Sequence, residues 1–491
     1  MKVRSFLSLL CILAVVFIAG CRTNLFNNSY SQSETLKQQP LPPAPVVVEG
    51  MRVSYADVVE KTSPAVVRIA TERKAQTQMS PFPFDDFFRD IIPQQRPQQK
   101  ERGAGSGVIV KSDGTILTNH HVIDGAEKIL VQTIDNRSFE AKVVGTDPPS
   151  DLAVLKIEAQ NLSALTLGDS DRVRVGDIVL AIGNPLGIGQ TVTAGIISAK
   201  GRQTGLSDGT SFQDFLQTDA PINRGNSGGA LVNLSGELIG INSQILAGGA
   251  GGGNIGIGFA IPSNMAKNVL EQILKEGKVR RGMLGINIQN LTDEVAQSLD
   301  LKDVKGVLVS NVRPGSAADK AGIKRGDIIT AINDEKIEDG NTLRNKVAGT
   351  LPGTQIKVTV LRDGKEQEFS PVLDEFVIDQ KNSENPGSQD KKENSKESGK
   401  LGLELKPLNP EDAQKLRLPE EVKGLLVIDV DPNGAAAEAG ILRGDVIMEV
   451  NRQPVTTLEE MKAALNKSGD RPILLLVARR DQIAYLTVRP K

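Results

Sequence analysis

Apolar residues in this chain come mainly in short runs rich in Val and Ile, separated by Gly, Asp, Asn and Pro. Ala65-Val66-Val67-Arg68-Ile69, Gly107-Val108-Ile109-Val110, Asp177-Ile178-Val179-Leu180-Ala181-Ile182 and Gly236-Glu237-Leu238-Ile239-Gly240-Ile241 are examples. Short β-branched runs between turn residues predict antiparallel strands, closed into barrels or packed as a sandwich. A turn is expected at Asp147-Pro148-Pro149-Ser150, followed by an alternating strand from Asp151 to Ile157. From Ser263 to Lys275 the period changes. Met265, Val269, Leu270, Ile273 and Leu274 fall on one face of a helix that closes this unit.

The second half repeats itself. Lys305-Gly306-Val307-Leu308-Val309 returns as Lys423-Gly424-Leu425-Leu426-Val427. Ala321-Gly322-Ile323-Lys324-Arg325-Gly326-Asp327 returns as Ala439-Gly440-Ile441-Leu442-Arg443-Gly444-Asp445, about 120 residues later. Two copies of one domain fit this spacing better than a solenoid. Between them, residues 376–399 are polar and charged and read as a flexible linker. Residues 22–50 are rich in Asn, Ser, Gln and Pro and read as an extended tether. Residues 74–103 form a Gln- and Pro-rich insertion that carries Phe82, Phe84, Phe87 and Phe88. It reads as a disordered loop or as a contact with another protein surface.

At the N-terminus, Lys2 and Arg4 precede an apolar run from Phe6 to Ala19, too short to span a bilayer comfortably. This is the pattern of a secretory signal, residues 1–20. It ends in Ile18-Ala19-Gly20-Cys21, which resembles a bacterial lipobox and implies cleavage before Cys21 and a lipid on its sulfur. The two cysteines, Cys11 and Cys21, both lie in this region. A cysteine nucleophile, a cysteine zinc site and a disulfide are thereby excluded for the folded part. A net charge of −2 and the lack of a basic stripe argue against nucleic acid as a partner.

The chain holds only two histidines, the adjacent His120 and His121, so an imidazole base is located to within one residue. They lack the i, i+4 spacing of a metalloprotease helix, so no metal is expected. Downstream stands Gly225-Asn226-Ser227-Gly228-Gly229. Taken alone, a serine among glycines is also an ordinary loop. With a histidine and then Asp151 ahead of it, the order is one of the known Ser-His-Asp triad orders. A serine hydroxyl needs a base to remove its proton, and the base needs a carboxylate to orient it. The N–H groups of Gly225 and Ser227 would form the oxyanion hole.

Thr118-Asn119-His120-His121-Val122, Ser150-Asp151-Leu152-Ala153-Val154 and Gly225-Asn226-Ser227-Gly228-Gly229 together resemble the catalytic motifs of the HtrA (Do/Deg) serine endoproteases. The resemblance implies a mostly β fold: a chymotrypsin-like double β-barrel protease domain at 51–277, then two α+β PDZ domains at 280–375 and 400–491. It makes His121 the base and leaves His120, at a position often occupied by Asn, as a second imidazole nearby. It further implies a specificity pocket lined by Ile222 and Ile245, and peptide binding at Met283-Leu284-Gly285-Ile286. No cofactor is implied. The expected partners are unfolded proteins and hydrophobic C-terminal peptides, in a homotrimer or multiples of it, in the periplasm and anchored through Cys21. A chaperone or stress sensor with secondary proteolysis is the alternative that the PDZ repeats leave open.

Overall fold

The computed structural model describes residues 54–73, 101–185, 189–204, 211–248, 253–299, 301, 305–377, 401–416, 418–419, 422–467, 472–480 and 482–489. Cys21, the tether, the phenylalanines of the insertion and most of the linker lie outside these residues.

Two closed six-stranded barrels settle the choice between barrel and sandwich. The first comprises β1 (Val66–Arg73), β2 (Glu101–Lys111), β3 (Thr115–Thr118), β4 (Lys128–Gln132), β5 (Ser138–Asp147) and β6 (Leu152–Ile157), in the order β1-β2-β3-β6-β5-β4. The second comprises β7 (Ile178–Gly183), β8 (Thr191–Arg202), β9 (Phe215–Thr218), β10 (Ala230–Asn233), β11 (Leu238–Gly248) and β12 (Gly253–Pro262), in the order β10-β11-β12-β9-β8-β7. Closure pairs every strand on both sides and leaves no open edge. On the strands of the first barrel Ile69, Ile109, Ile116, Leu117, Leu152 and Leu155 are fully buried; Val179, Ala181, Ile197, Leu216, Leu231 and Ile239 pack into the core of the second.

The expected helix runs from Ser263 to Glu276 and buries Ala266, Val269, Leu270 and Ile273. Gly277 ends it in a left-handed conformation, φ 73°, the usual helix stop. Two expected strands shift at their starts. Ser63–Ala65 is a 3-10 turn, because Pro64 lacks the N–H that a ladder needs, and β1 begins at Val66. Gly236 sits in a turn at φ 78°, so β11 begins at Leu238.

The repeats fold alike. The first contains β13 (Gly282–Met283), β14 (Ile286–Asn290), β15 (Val307–Val312), β16 (Ile328–Ile332), β17 (Glu335–Lys336), β18 (Val358–Arg362), β19 (Lys365–Phe369) and β20 (Asp374–Glu375). The second contains β21 (Leu403–Pro407), β22 (Leu425–Val430), β23 (Val446–Val450), β24 (Gln453–Pro454), β25 (Ile473–Arg479) and β26 (Gln482–Val488). The sheet order β14-β15-β16-β18-β19 is matched by β21-β22-β23-β25-β26. The repeated Gly-Asp pair has a structural task in both copies. Asp327 takes two hydrogen bonds from Arg362, each 2.7 Å, and Asp445 takes two from Arg479, also 2.7 Å. The same arginines donate to the carbonyls of Gly322 and Gly440. Each buried aspartate therefore ties the loop before its strand to the end of the neighbouring strand, β18 or β25.

The two repeats share a core. Val295, Leu308 and Ile328 of the first pack with Val422, Leu426, Val446, Met448, Leu474, Leu476 and Tyr485 of the second. Arg325 pairs with the buried Glu449 at 3.0 Å, and the Gln289 amide hydrogen-bonds both the N–H and the carbonyl of Tyr485. Burial and the nearby Glu449 push the Tyr485 hydroxyl up to about 12.

Candidate active site

The site is assembled from both barrels. Asn119, the last residue before the one-turn helix His120–Ile123, follows β3. His121 is the second residue of that helix. The helix is held against the turn before β6, because the Asp151 carbonyl accepts from the His120 N–H at 3.1 Å and the Asn119 amide at 3.0 Å. The predicted turn is the 3-10 segment Pro148–Ser150. Asp151 follows it at φ 54°, ψ 42°, a left-handed conformation that costs a non-glycine residue energy. This backbone aims its carboxylate back at the helix. The His121 N–H donates to Asp151 Oδ1 at 3.0 Å, and His121 Nδ1 lies 2.8 Å from Oδ2.

Ser227 comes from the second barrel, on the loop between β9 and β10. Its Oγ donates to the Ser243 carbonyl at 2.9 Å, while Ser243 Oγ donates to Asp151 Oδ2 at 3.1 Å. Ser243, on β11, thus touches both the carboxylate and the hydroxyl. Burial opposes ionisation of Asp151. The His121 imidazole and the hydrogen bonds from His121 and Ser243 outweigh it and hold the carboxyl below the ordinary 3.8.

The loop around Ser227 is clamped by the first barrel. Ser106, on β2, donates its N–H to the Ser227 carbonyl at 2.8 Å and its hydroxyl to the Gly225 carbonyl at 2.6 Å. The same hydroxyl accepts from the Asn184 N–H at 2.8 Å. Gly228 must be glycine: at φ +82° its Cβ would stand 2.1 Å from the Ser106 carbonyl oxygen. The N–H groups of Asn226, Gly228 and Gly229 donate to Asn223, Asn242 and Asn226 carbonyls. Those of Gly225 and Ser227 have no hydrogen-bond partner among the described residues.

The other expected positions divide. Ile222 is buried in the core of the second barrel with Ile245 packed against it. Gly258 lies beside them, where a Cβ would come within 3.0 Å of Ile222 Cδ1. Of the segment Met283-Leu284-Gly285-Ile286, Leu284 turns into the core of the first repeat. Gly285, at φ +75°, also has no room for a side chain, since a Cβ would meet Ser316 Cβ at 2.3 Å. Ile286 opens β14, which among the described residues pairs with a strand on one side only. This segment contributes a backbone edge more than it contributes side chains. His120 Nε2 is 3.7 Å from Asp124, pointing along its own helix.

Comparison with known proteins agrees with this arrangement. Residues 105–241 match the trypsin-like peptidase domain, and residues 282–371 and 426–479 each match a PDZ domain. The chain is 44% identical over 450 residues to the "Probable periplasmic serine protease do/HhoA-like" of Haemophilus influenzae, covering 89% of this chain and 92% of that protein. It is 42% identical over 450 residues to the "Periplasmic pH-dependent serine endoprotease DegQ" of Escherichia coli, covering 91% and 94%. The chain belongs to the HtrA (Do/Deg) family of serine endoproteases. A solved HtrA-type protease, AlgW with a tripeptide, is 42% identical, covers 67% of this chain and 99% of its own, and superposes with a TM-score of 0.54. Two contributors to this HtrA site, Ser106 and Ser243, escape sequence reasoning. Ser106 reaches Ser227 only because the first barrel meets the second, and Ser243, in the same barrel as Ser227, meets Asp151 across that seam.

Proposed function

We propose that this chain is an ATP-independent serine endopeptidase of the periplasm that degrades unfolded or misfolded proteins, with Ser227, His121 and Asp151 as its triad. One observation carries the reading: the half-buried Asp151 carboxylate holds the His121 imidazole and is linked through Ser243 to the hydroxyl of the loop residue Ser227, whose N–H, like that of Gly225, is uncommitted among the described residues. Substrate turns the Ser227 hydroxyl from the Ser243 carbonyl to His121 Nε2. His121 takes the proton as Oγ bonds to the scissile carbonyl carbon, and the oxyanion is held by the Gly225 and Ser227 N–H groups. His121 then returns the proton to the leaving amine as the C–N bond breaks. Water repeats the sequence to free the enzyme. Asp151 keeps the imidazole in the tautomer that leaves Nε2 free to accept.

Ile222 and Ile245 form the floor of a pocket for small aliphatic side chains. The free edge of β14 takes an added strand from a hydrophobic C-terminal peptide. The family resemblance also supports a homotrimer or a multiple of it. Ile18-Ala19-Gly20-Cys21 supports lipid anchoring through Cys21. In fractionated cells, Cys21→Ser protein is expected in the soluble periplasmic fraction; unchanged membrane retention would reject the anchor.

The test of the main reading is covalent. A fluorophosphonate should inactivate the purified protein with one adduct per chain, located at Ser227 by mass spectrometry. Inactivation with the adduct elsewhere would reject the nucleophile.

A further inference from the structure

Asp151 is held in a strained backbone conformation, and such strain persists only where the surroundings over-determine it. Those surroundings reach beyond the barrel. Asp147, four residues earlier, is 3% exposed and accepts a bidentate pair of hydrogen bonds from the Arg281 guanidinium, Nη1 to Oδ1 at 2.7 Å and Nη2 to Oδ2. Asp147 Oδ2 also accepts from the hydroxyl of Ser150, the residue before Asp151. Arg281 lies in the segment joining the protease to the first PDZ domain. Its guanidinium sits 4.6 Å from the ring centroid of Phe212, and the Phe212 N–H donates to the Pro149 carbonyl at 2.7 Å, in the middle of the same turn.

The first PDZ domain completes this cluster. Arg344, on the helix Gly340–Gly349, places its guanidinium 4.6 Å from the Phe212 ring centroid. Phe376, just past β20, meets that ring edge-on at 5.6 Å and donates its N–H to the Arg281 carbonyl at 2.8 Å. A buried ion pair is a weak source of net stability. A bidentate fork stacked on an aromatic ring is a good source of fixed geometry.

We propose that Arg281 is a positioning residue for the triad carboxylate. Through Asp147 and Phe212 it holds the Pro148–Ser150 turn so that Asp151 faces His121. This rests on the reading of Asp151 as the triad acid.

The test uses the full chain and a double-mutant cycle. Arg281→Met is expected to lower kcat by about 10- to 100-fold, the usual penalty for misplacing a catalytic group by an ångström, with little change in KM. Arg281→Lys keeps the charge but loses the fork, and should fall between parent and Met. Phe212→Leu leaves the ion pair in place and supplies a milder disturbance if Arg281→Met folds poorly; it should lower kcat in the same direction. In an Asp151→Asn background, Arg281→Met should cost almost nothing more, because its effect passes through the carboxylate. An equal loss in both backgrounds, or unchanged kcat in folded Arg281→Met, overturns the positioning role while leaving the triad intact. Full activity in Asp151→Asn alone overturns the triad reading, and this proposal with it.

Discussion

Ser227→Ala protein should leave an unfolded protein substrate essentially intact, with kcat lower by roughly 10⁶-fold than the parent. The size follows from the arrangement of the site. His121 and Asp151 can prepare a proton acceptor, but without Oγ there is no covalent intermediate for them to assist. What survives is binding and oxyanion stabilisation, roughly 10³–10⁴ over water. The substitution removes a hydroxyl that donates to one backbone carbonyl, that of Ser243, and adds no bulk to a buried loop. Melting temperature should therefore stay close to that of the parent, and peptide binding by the PDZ domains should persist. Fluorescent casein or a reduced, alkylated protein serves as substrate, with trace protease contamination checked by mass spectrometry. Cleavage at the parental rate would end the assignment.

Asp151→Asn should lower kcat by about 10⁴-fold while the protein stays folded. Asparagine is among the few residues that tolerate left-handed φ, so the strained turn at φ 54° can survive the change. Its amide, however, can present N–H to His121 Nδ1, which favours the tautomer whose Nε2 carries the proton and so cannot accept one from Ser227. The carboxylate's depressed pKa gives the exchange a pH signature. A group ionised more readily in the folded protein contributes stability above its unfolded value, near 3.8, and loses it as pH falls through the lower folded value. The share of the stability difference between parent and Asp151→Asn that comes from ionising the carboxylate should thus still be present at about pH 5. It should shrink only in stronger acid. Melting curves across pH, beside a single-turnover assay at neutral pH, read both effects. A difference with no decrease in acid below the ordinary carboxylate value would mean that His121 and Ser243 do not stabilise the ionised form.

The proposed triad was readable because each of its members sits in a local motif that suits that role. His121 precedes Val122 in a strand-to-helix corner, Asp151 follows a Pro-rich turn, and Ser227 stands among glycines. The barrels were readable as short β-branched runs. Their closure was not, because alternation along a strand is the same in a sandwich. Ser106 and Ser243 gave no signal, since their work depends on which strands the two barrels bring face to face. The Arg281–Asp147 pair spans 134 residues and two domains; Arg281 reads locally as a basic flank of the proposed peptide-binding segment. The repeated Gly-Asp motif was visible as a repeat. Its partners, Arg362 and Arg479, lie more than thirty residues further on and become visible only in the folded sheets.

The core shared by the two PDZ repeats changes how the chain can be cut. Sequence repeats invite truncation at the linker, as though each copy were an exchangeable module. Here removal of the second copy would uncover Leu308, Ile328 and Val295 and strip Glu449 from Arg325. The shortened protein would carry a new apolar face, prone to self-association. Domain-deletion experiments on this chain would then report exposed surface as well as a missing activity, and the two repeats are better exchanged together than one at a time.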